Sequence, residues 1–302
     1  MKQTLSPRAV RYFAVTFGAA WALQLVSCWA VYHGQAGLFT PLMAVSMFAP
    51  MLGAWAASGG LRTARSGIAW RPLFRGRAGW WLAALLGPAV LTVLCAAFYF
   101  ILFPARFDAG AQSYLTAALG AEGAARAAGG LAPAAFMAVV LAQGAAGGVF
   151  NMLFAVGEEA GWRGWMYPRL KARFGARGGR ALGGVIWGVW HWPVIALAGY
   201  EYNLSVFSAP LYLAAAGMLL FCVVCVALGA LLDLLYEKTG CIWVPALAHG
   251  EFNAVASAAL YVTVADYAGL QILGPLPIGL IAGVPLFAAG AAVLARSRAQ
   301  KA

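Results

Sequence analysis

Residues 133–165 read PAAFMAVVLAQGAAGGVFNMLFAVGEEAGWRGW, an uncharged run from Pro133 to Gly157 that ends in Glu158, Glu159 and Arg163. An apolar run of this length matches the ~30 Å hydrocarbon core of a bilayer and predicts a transmembrane helix. Ionisable groups at membrane depth are costly enough to default to a functional reading, so the end of this run is the place to look for chemistry.

The rest of the chain agrees with a membrane bundle. Of its 302 residues, 63% are hydrophobic and 10% charged, with a mean hydropathy of +0.81. Soluble domains carry roughly 25% charged residues. The reading is an all-α, polytopic bundle forming one membrane-embedded domain over residues 1–302, with about eight spans near 11–32, 38–58, 79–103, 133–156, 181–200, 210–235, 242–264 and 272–295. The fourth is expected to continue as helix to about residue 168.

A net charge of +11 would point to nucleic acid in a soluble protein, but here the basic residues sort by loop. Lys2, Arg8 and Arg11 precede the first span, and Arg62, Arg65, Arg71, Arg75 and Arg77 lie between the second and third. Arg163, Arg169, Lys171, Arg173, Arg177 and Arg180 fall between the fourth and fifth, Lys238 follows the sixth, and Arg296, Arg298 and Lys301 follow the eighth. Only Arg106 and Arg126 of the 20 Lys and Arg residues are left for the opposite side. Eight spans with both termini in the cytoplasm satisfy the positive-inside rule, and no nucleic-acid partner is needed. The first span is too long for a signal-peptide h-region and lacks a small-x-small cleavage site, so it is read as a retained helix.

Other features call for packing explanations. Cys28, Cys95, Cys222, Cys225 and Cys241 fall mostly inside spans and read as small buried hydrophobes. The Cys222-x-x-Cys225 pair has no second pair for zinc. Most of the 37 glycines serve close helix approach, as at Gly147-Gly148 and Gly183-Gly184. Residues 60–78 form a basic loop suited to anionic headgroups, and 104–132 an Ala/Gly-rich external segment with room for a short helix. Trp80, Trp81, Tyr200 and Tyr202 read as interfacial anchors, and His33 as an interfacial residue. No internal repeat marks a solenoid or an inverted-repeat transporter.

Three segments hold nearly all the intramembrane polar chemistry: Glu158-Glu159-x-x-x-Arg163, Trp187-Gly188-Val189-Trp190-His191-Trp192-Pro193, and His249-Gly250-Glu251-Phe252-Asn253. At 1.5 Å per residue, Glu158 lies about 16 Å in from the end of the fourth span, His191 about 15 Å into the fifth and His249 about 11 Å into the seventh. Three helices thus deliver Glu, His and His to similar depth.

Spacing separates the roles. Glu159 and Arg163 are i, i+4 and pair on one helix face, which leaves Glu158 as the available base for water. His249 and Asn253 are also i, i+4 and can donate two hydrogen bonds to a developing oxyanion, while Glu251 points nearly the opposite way, toward a cavity or a basic group. His191 could share the water with Glu158 or protonate a leaving amine, and Pro193 is placed to kink its helix and open space.

In order and placement these motifs resemble the CPBP or Abi family, which takes in type II CAAX prenyl endopeptidases and bacterial bacteriocin-processing or immunity proteins. Its EExxxR is matched by Glu158, Glu159 and Arg163, with Gly157, Trp162 and Gly164 typical of bacterial members. Its FxxxH is matched at His191 with Trp187 in place of Phe, an aromatic expected to keep the packing role. Its HxxxN is matched by His249 and Asn253. The resemblance covers about residues 133–260, taken as the catalytic core.

It implies that Glu158 and His191 activate a water, that His249 and Asn253 form the oxyanion hole, and that the cavity opens toward cytoplasm and bilayer. It also implies a multi-pass protein of the bacterial cytoplasmic membrane acting on membrane-embedded or lipidated peptides and proteins. The family is variously called metalloprotease and glutamate protease. Glu158, His191 and His249 form a set that zinc accepts, but no HExxH is present, and the preferred reading is a metal-independent Glu/His mechanism with no required cofactor. The leading function is an intramembrane endopeptidase. The alternatives are a non-catalytic peptide-binding scaffold or bacteriocin self-immunity protein and, more weakly, a transporter.

Overall fold

The computed structural model describes residues 6–60, 67–265 and 271–297. Lys2, Arg62, Arg65, Arg298 and Lys301 of the charge pattern lie outside them. The described residues are helical almost throughout, and their one β-type pairing is an isolated bridge between Phe107 and Thr263.

The elements are α1 (Pro7–Tyr32), α2 (Phe39–Ser46), α3 (Ala49–Ser58), α4 (Ala78–Leu102), α5 (Ser113–Ala128) and α6 (Pro133–Gly161), followed by α7 (Tyr167–Trp190), α8 (Trp192–Ala198), α9 (Leu211–Thr239), α10 (Trp243–Val255) and α11 (Val284–Arg296). Their ends follow local chemistry. The Ser6 hydroxyl accepts from the Ala9 N–H at the start of α1 with Pro7 behind it, Pro133 opens α6, and α9 stops at Gly240, whose φ of 56° is left-handed. The Asp108 carboxylate accepts from the N–H groups of Gly110, Gln112 and Ser113 ahead of α5. Partial burial works to raise its pKa, but these N–H groups outweigh it and hold the carboxyl below its ordinary value.

Among the described residues, five helical stretches are long and apolar enough to cross a membrane: Pro7–Tyr32, Ala36–Ser58, Ala78–Leu102, Pro133–Trp190 and Leu211–Thr239. The remaining segments differ from the expected spans. Beyond α10 the chain tightens into a 3-10 turn at Ala258–Val262, and of the stretch near 272–295 only α11, from Val284, is regular helix. Pro275 and Pro277 precede it, and a proline's missing N–H and fixed φ oppose earlier helix.

The segment between the expected fourth and fifth spans is also helical rather than a loop. A π-helical turn, Trp162–Met166, joins α6 to α7, and α7 bends where Gly175 takes φ 72° and ψ 167°. Two of the basic residues here are tied down by ion pairs. Lys171 and Arg180 both reach Asp233 and Glu237 near the end of α9, at 2.5–3.0 Å.

The bundle is knit chiefly by α6 against α10, α7 against α9, and α1 against α3. Glycine makes these seams close. A Cβ on Gly184 would sit 2.4 Å from Val226 Cα and one on Gly188 2.5 Å from Cys222 Cα, so two glycines four residues apart set α7 directly on the α9 backbone. Gly157 and Gly161 do the same for α6 at Met47–Pro50, between α2 and α3. All five cysteines are free and buried.

Gly184→Ala should destabilise the detergent-solubilised protein by about 1–3 kcal/mol, because the obstructing atoms are backbone and cannot rotate away. Gly18→Ala, where nothing lies within 4 Å of the added Cβ, should be neutral or stabilising by up to ~1 kcal/mol. Equal melting shifts for the two variants would contradict this account of the seam.

Candidate active site

Glu158 and Glu159 occupy the last turn of α6 and are both buried. Being adjacent, they point about 100° apart and enter different surroundings. Glu159 meets Arg163, whose Nη1 donates to its Oε1 at 2.9 Å, with both side chains fully buried. Arg163 Nη2 donates to the Gly229 carbonyl at 3.1 Å. The guanidinium lies over the rings of Tyr167 and Trp187, at 4.5 and 5.0 Å from their centroids.

Glu159 has a second partner that spacing does not reveal. His249 Nδ1, from α10, lies 2.9 Å from the same Oε1. An ionised carboxylate only accepts hydrogen bonds, so Nδ1 carries the proton and Nε2 is left as the other working nitrogen.

Glu158 is held differently. Its Oε2 accepts from Trp187 Nε1 at 2.7 Å and from Trp162 Nε1 at 3.0 Å. Both bonds fall on one oxygen, which leaves Oε1 for water or substrate. Trp187 therefore does more than the packing expected of the aromatic at this position, because a phenyl ring has no N–H to give. It also packs edge-to-face on His249, with centroids 5.1 Å apart, and its carbonyl lies 3.0 Å from His191 Nδ1.

His191 stands where the helix breaks between α7 and α8, two residues before Pro193. Its carbonyl partner is acceptor-only, so Nδ1 is again the protonated nitrogen and Nε2 the free one. Trp190 and Phe221 pack edge-on to the ring at 4.6 and 4.8 Å between centroids.

A cavity of about 370 Å³ is lined by Glu158, His191, His249 and Asn253 together. The two flanking members of the first motif face the protein interior instead: Glu159 and Arg163 do not line it. Asn253 donates from Nδ2 to Asn151 Oδ1 at 3.3 Å, and Asn151 lines the same space. Glu251 meets neither a cavity nor a basic group. It is fully buried with Oε2 against Gly148, and among the described residues neither oxygen has a hydrogen-bond partner.

Sequence alone does not single out Asn151, the indole N–H of Trp162 or the Tyr200-Glu201 pair, all of which belong to this region. Tyr200 and Glu201 line the cavity, and Tyr202 is fully buried with its hydroxyl donating to the Ile278 carbonyl at 3.0 Å. The expected role of Tyr202 as an interfacial anchor is thus corrected, because it is fully buried in the bundle, whereas Tyr200 is only partly buried.

Among the described residues, no three His, Cys, Asp or Glu side chains are grouped to hold a metal ion. Glu158 Oε2 is taken by two indoles and the Nδ1 atoms of His249 and His191 by Glu159 and the Trp187 carbonyl, which leaves Glu158 Oε1 and the two Nε2 atoms as the free donors of this set.

Residues 133–255 match the family model described as Type II CAAX prenyl endopeptidase Rce1-like. That stretch contains all three motifs, and the match and the motifs point to the same family of membrane proteases. No curated protein matches the chain.

Replacing Arg163 by Met should cost about 3–5 kcal/mol, since Glu159 would keep its burial and lose its cation. Arg163→Lys should rescue little, because one ammonium cannot reproduce the bonds to Glu159 and Gly229 together with the ring stacking. A melting loss equivalent to less than ~1 kcal/mol for the Met variant would mean that the pair carries little of the local structure.

Proposed function

We propose that the protein is an intramembrane endopeptidase that hydrolyses a peptide bond in a lipidated or membrane-inserted substrate. The observation that carries this reading is the shared cavity, in which Glu158, His191, His249 and Asn253 from three helices face one volume. The family match supports the reaction class, and the apolar helices support an integral membrane setting, for which we propose the bacterial cytoplasmic membrane.

The chemistry follows from which atoms are free. Water held by Glu158 Oε1 and His191 Nε2 attacks the scissile carbonyl carbon and gives up a proton to the carboxylate. The two indole N–H groups on Oε2 orient Glu158 without occupying the oxygen that works. Charge builds on the carbonyl oxygen, which Asn253 Nδ2 and a protonated His249 Nε2 are placed to receive. Glu159, bonded to Nδ1 of that ring, fixes its orientation. Collapse breaks the C–N bond, and the proton taken from water leaves with the amine by way of Glu158 or His191. No metal takes part in these steps.

Glu158→Ala should lower cleavage of a membrane substrate about 10³-fold or more while leaving folding intact. Unchanged cleavage, or an unchanged cellular phenotype, would sink the protease reading. Trp187→Phe should lower kcat about tenfold with little change in KM, because it keeps the ring and removes one charge-assisted hydrogen bond to the base. Activity should survive prolonged chelation. Loss on chelation with recovery on adding zinc would overturn the metal-free mechanism.

A further inference from the structure

The loop after α8 carries a carboxylate that the hydrolytic steps leave unused. Glu201 has φ 71°, a left-handed conformation unusual for a non-glycine residue, and lies between two others of the same hand, Gly199 (φ 68°) and Asn203 (φ 55°). Such backbone is kept only where surrounding structure enforces it, and it clusters at sites of function. The enforcement here is visible. Asn203 N–H donates to the Gly199 carbonyl at 2.7 Å, Val206 N–H to the Ala196 carbonyl at 2.8 Å, and buried Tyr202 anchors its hydroxyl on Ile278. With positions 202 and 203 fixed in this way, Glu201 is presented to the cavity that also holds Glu158. Tyr200 lines the same cavity beside it.

The charge of this space is one-sided. Glu158 and Glu201 both line it, and no lysine or arginine among the described residues does. Arg163 is turned away and committed to Glu159 and Gly229. The walls therefore offer no lysine or arginine to a substrate carboxylate, but a second carboxylate beyond the one that acts on water.

We propose that Glu201 is a specificity residue, which binds a cationic side chain of the substrate, lysine or arginine, near the bond to be cleaved. The inference rests on the hydrolase reading of the same cavity and deepens it by naming a substrate class. Glu201 contributes an ion-paired hydrogen bond to the bound peptide and takes no part in proton transfer.

The test separates binding from cleavage. Palmitoylated decapeptides of Ala and Leu, identical except for Lys, norleucine or Glu scanned along the chain, are titrated in lipid nanodiscs against the Glu158→Ala protein, with Glu158→Gln as a second background. The Lys peptide should bind about tenfold more tightly than its norleucine counterpart at one or two positions, and the Glu peptide more weakly than both. Adding Glu201→Gln should abolish the preference, and so should Glu201→Gly, which suits the left-handed backbone and keeps the loop in place.

Equal binding of Lys and norleucine peptides would overturn the proposal. A Lys preference that survives both Glu201 changes would do the same, as would the absence of binding by any peptide. Because these readouts need no turnover, they stand apart from the cleavage assay, whose failure would remove the hydrolase reading alone.

Discussion

The fully buried contact between Glu159 and Arg163 is the constraint on which the site depends. Two charges this deep need partners nearby, and the partners come from separate elements: Gly229 of α9, His249 of α10, and the ring faces of Tyr167 and Trp187 in α7, with Glu159 Oε2 and Arg163 Nε left without a hydrogen bond among the described residues. One ion pair therefore fixes three helices relative to the end of α6. His249 is oriented as a by-product, since its ring closes the same network. The adjacent Glu158, rotated into the cavity, inherits a rigid platform.

Trp187 links the halves of this arrangement. Its indole N–H acts on Glu158, its carbonyl on His191, and its ring on both His249 and Arg163. A residue in this position couples the base, the second histidine and the structural cation, so a small movement of α7 would reach all three at once. The Gly184 and Gly188 seam just below holds α7 against α9 and limits that movement.

Much of this was legible in the sequence, and for identifiable reasons. The i, i+4 spacing of Glu159 and Arg163 stated their pairing outright, because helical geometry is local. Similar depth on three spans brought Glu158, His191, His249 and Asn253 to one cavity. What depended on how the helices rotate against each other was not legible: the bond from His249 to Glu159, the indole donors on Glu158, and the contact between Asn151 and Asn253. Tyr200 and Glu201 were hidden for another reason. A polar, aromatic loop after an apolar run looks like an interface, and only the return of the chain into the bundle shows otherwise. The extents of the helices were the weakest part of the reading, since hydropathy does not report where prolines and 3-10 turns interrupt a helix.

The lengths of the helices bear on where the reacting water comes from. At 1.5 Å per residue, the 13-residue helices α10 and α11 are each only about 20 Å long, against the ~30 Å of a bilayer core, whereas the 29-residue α9 is long enough to span it with a tilt. Ten of the 13 residues of α10 are buried, so it is a short helix inside the bundle rather than at its edge. His249 stands midway along it, about 9 Å from either end, and Asn253 lies within its last turn, which shortens the way from the helix end to the cavity.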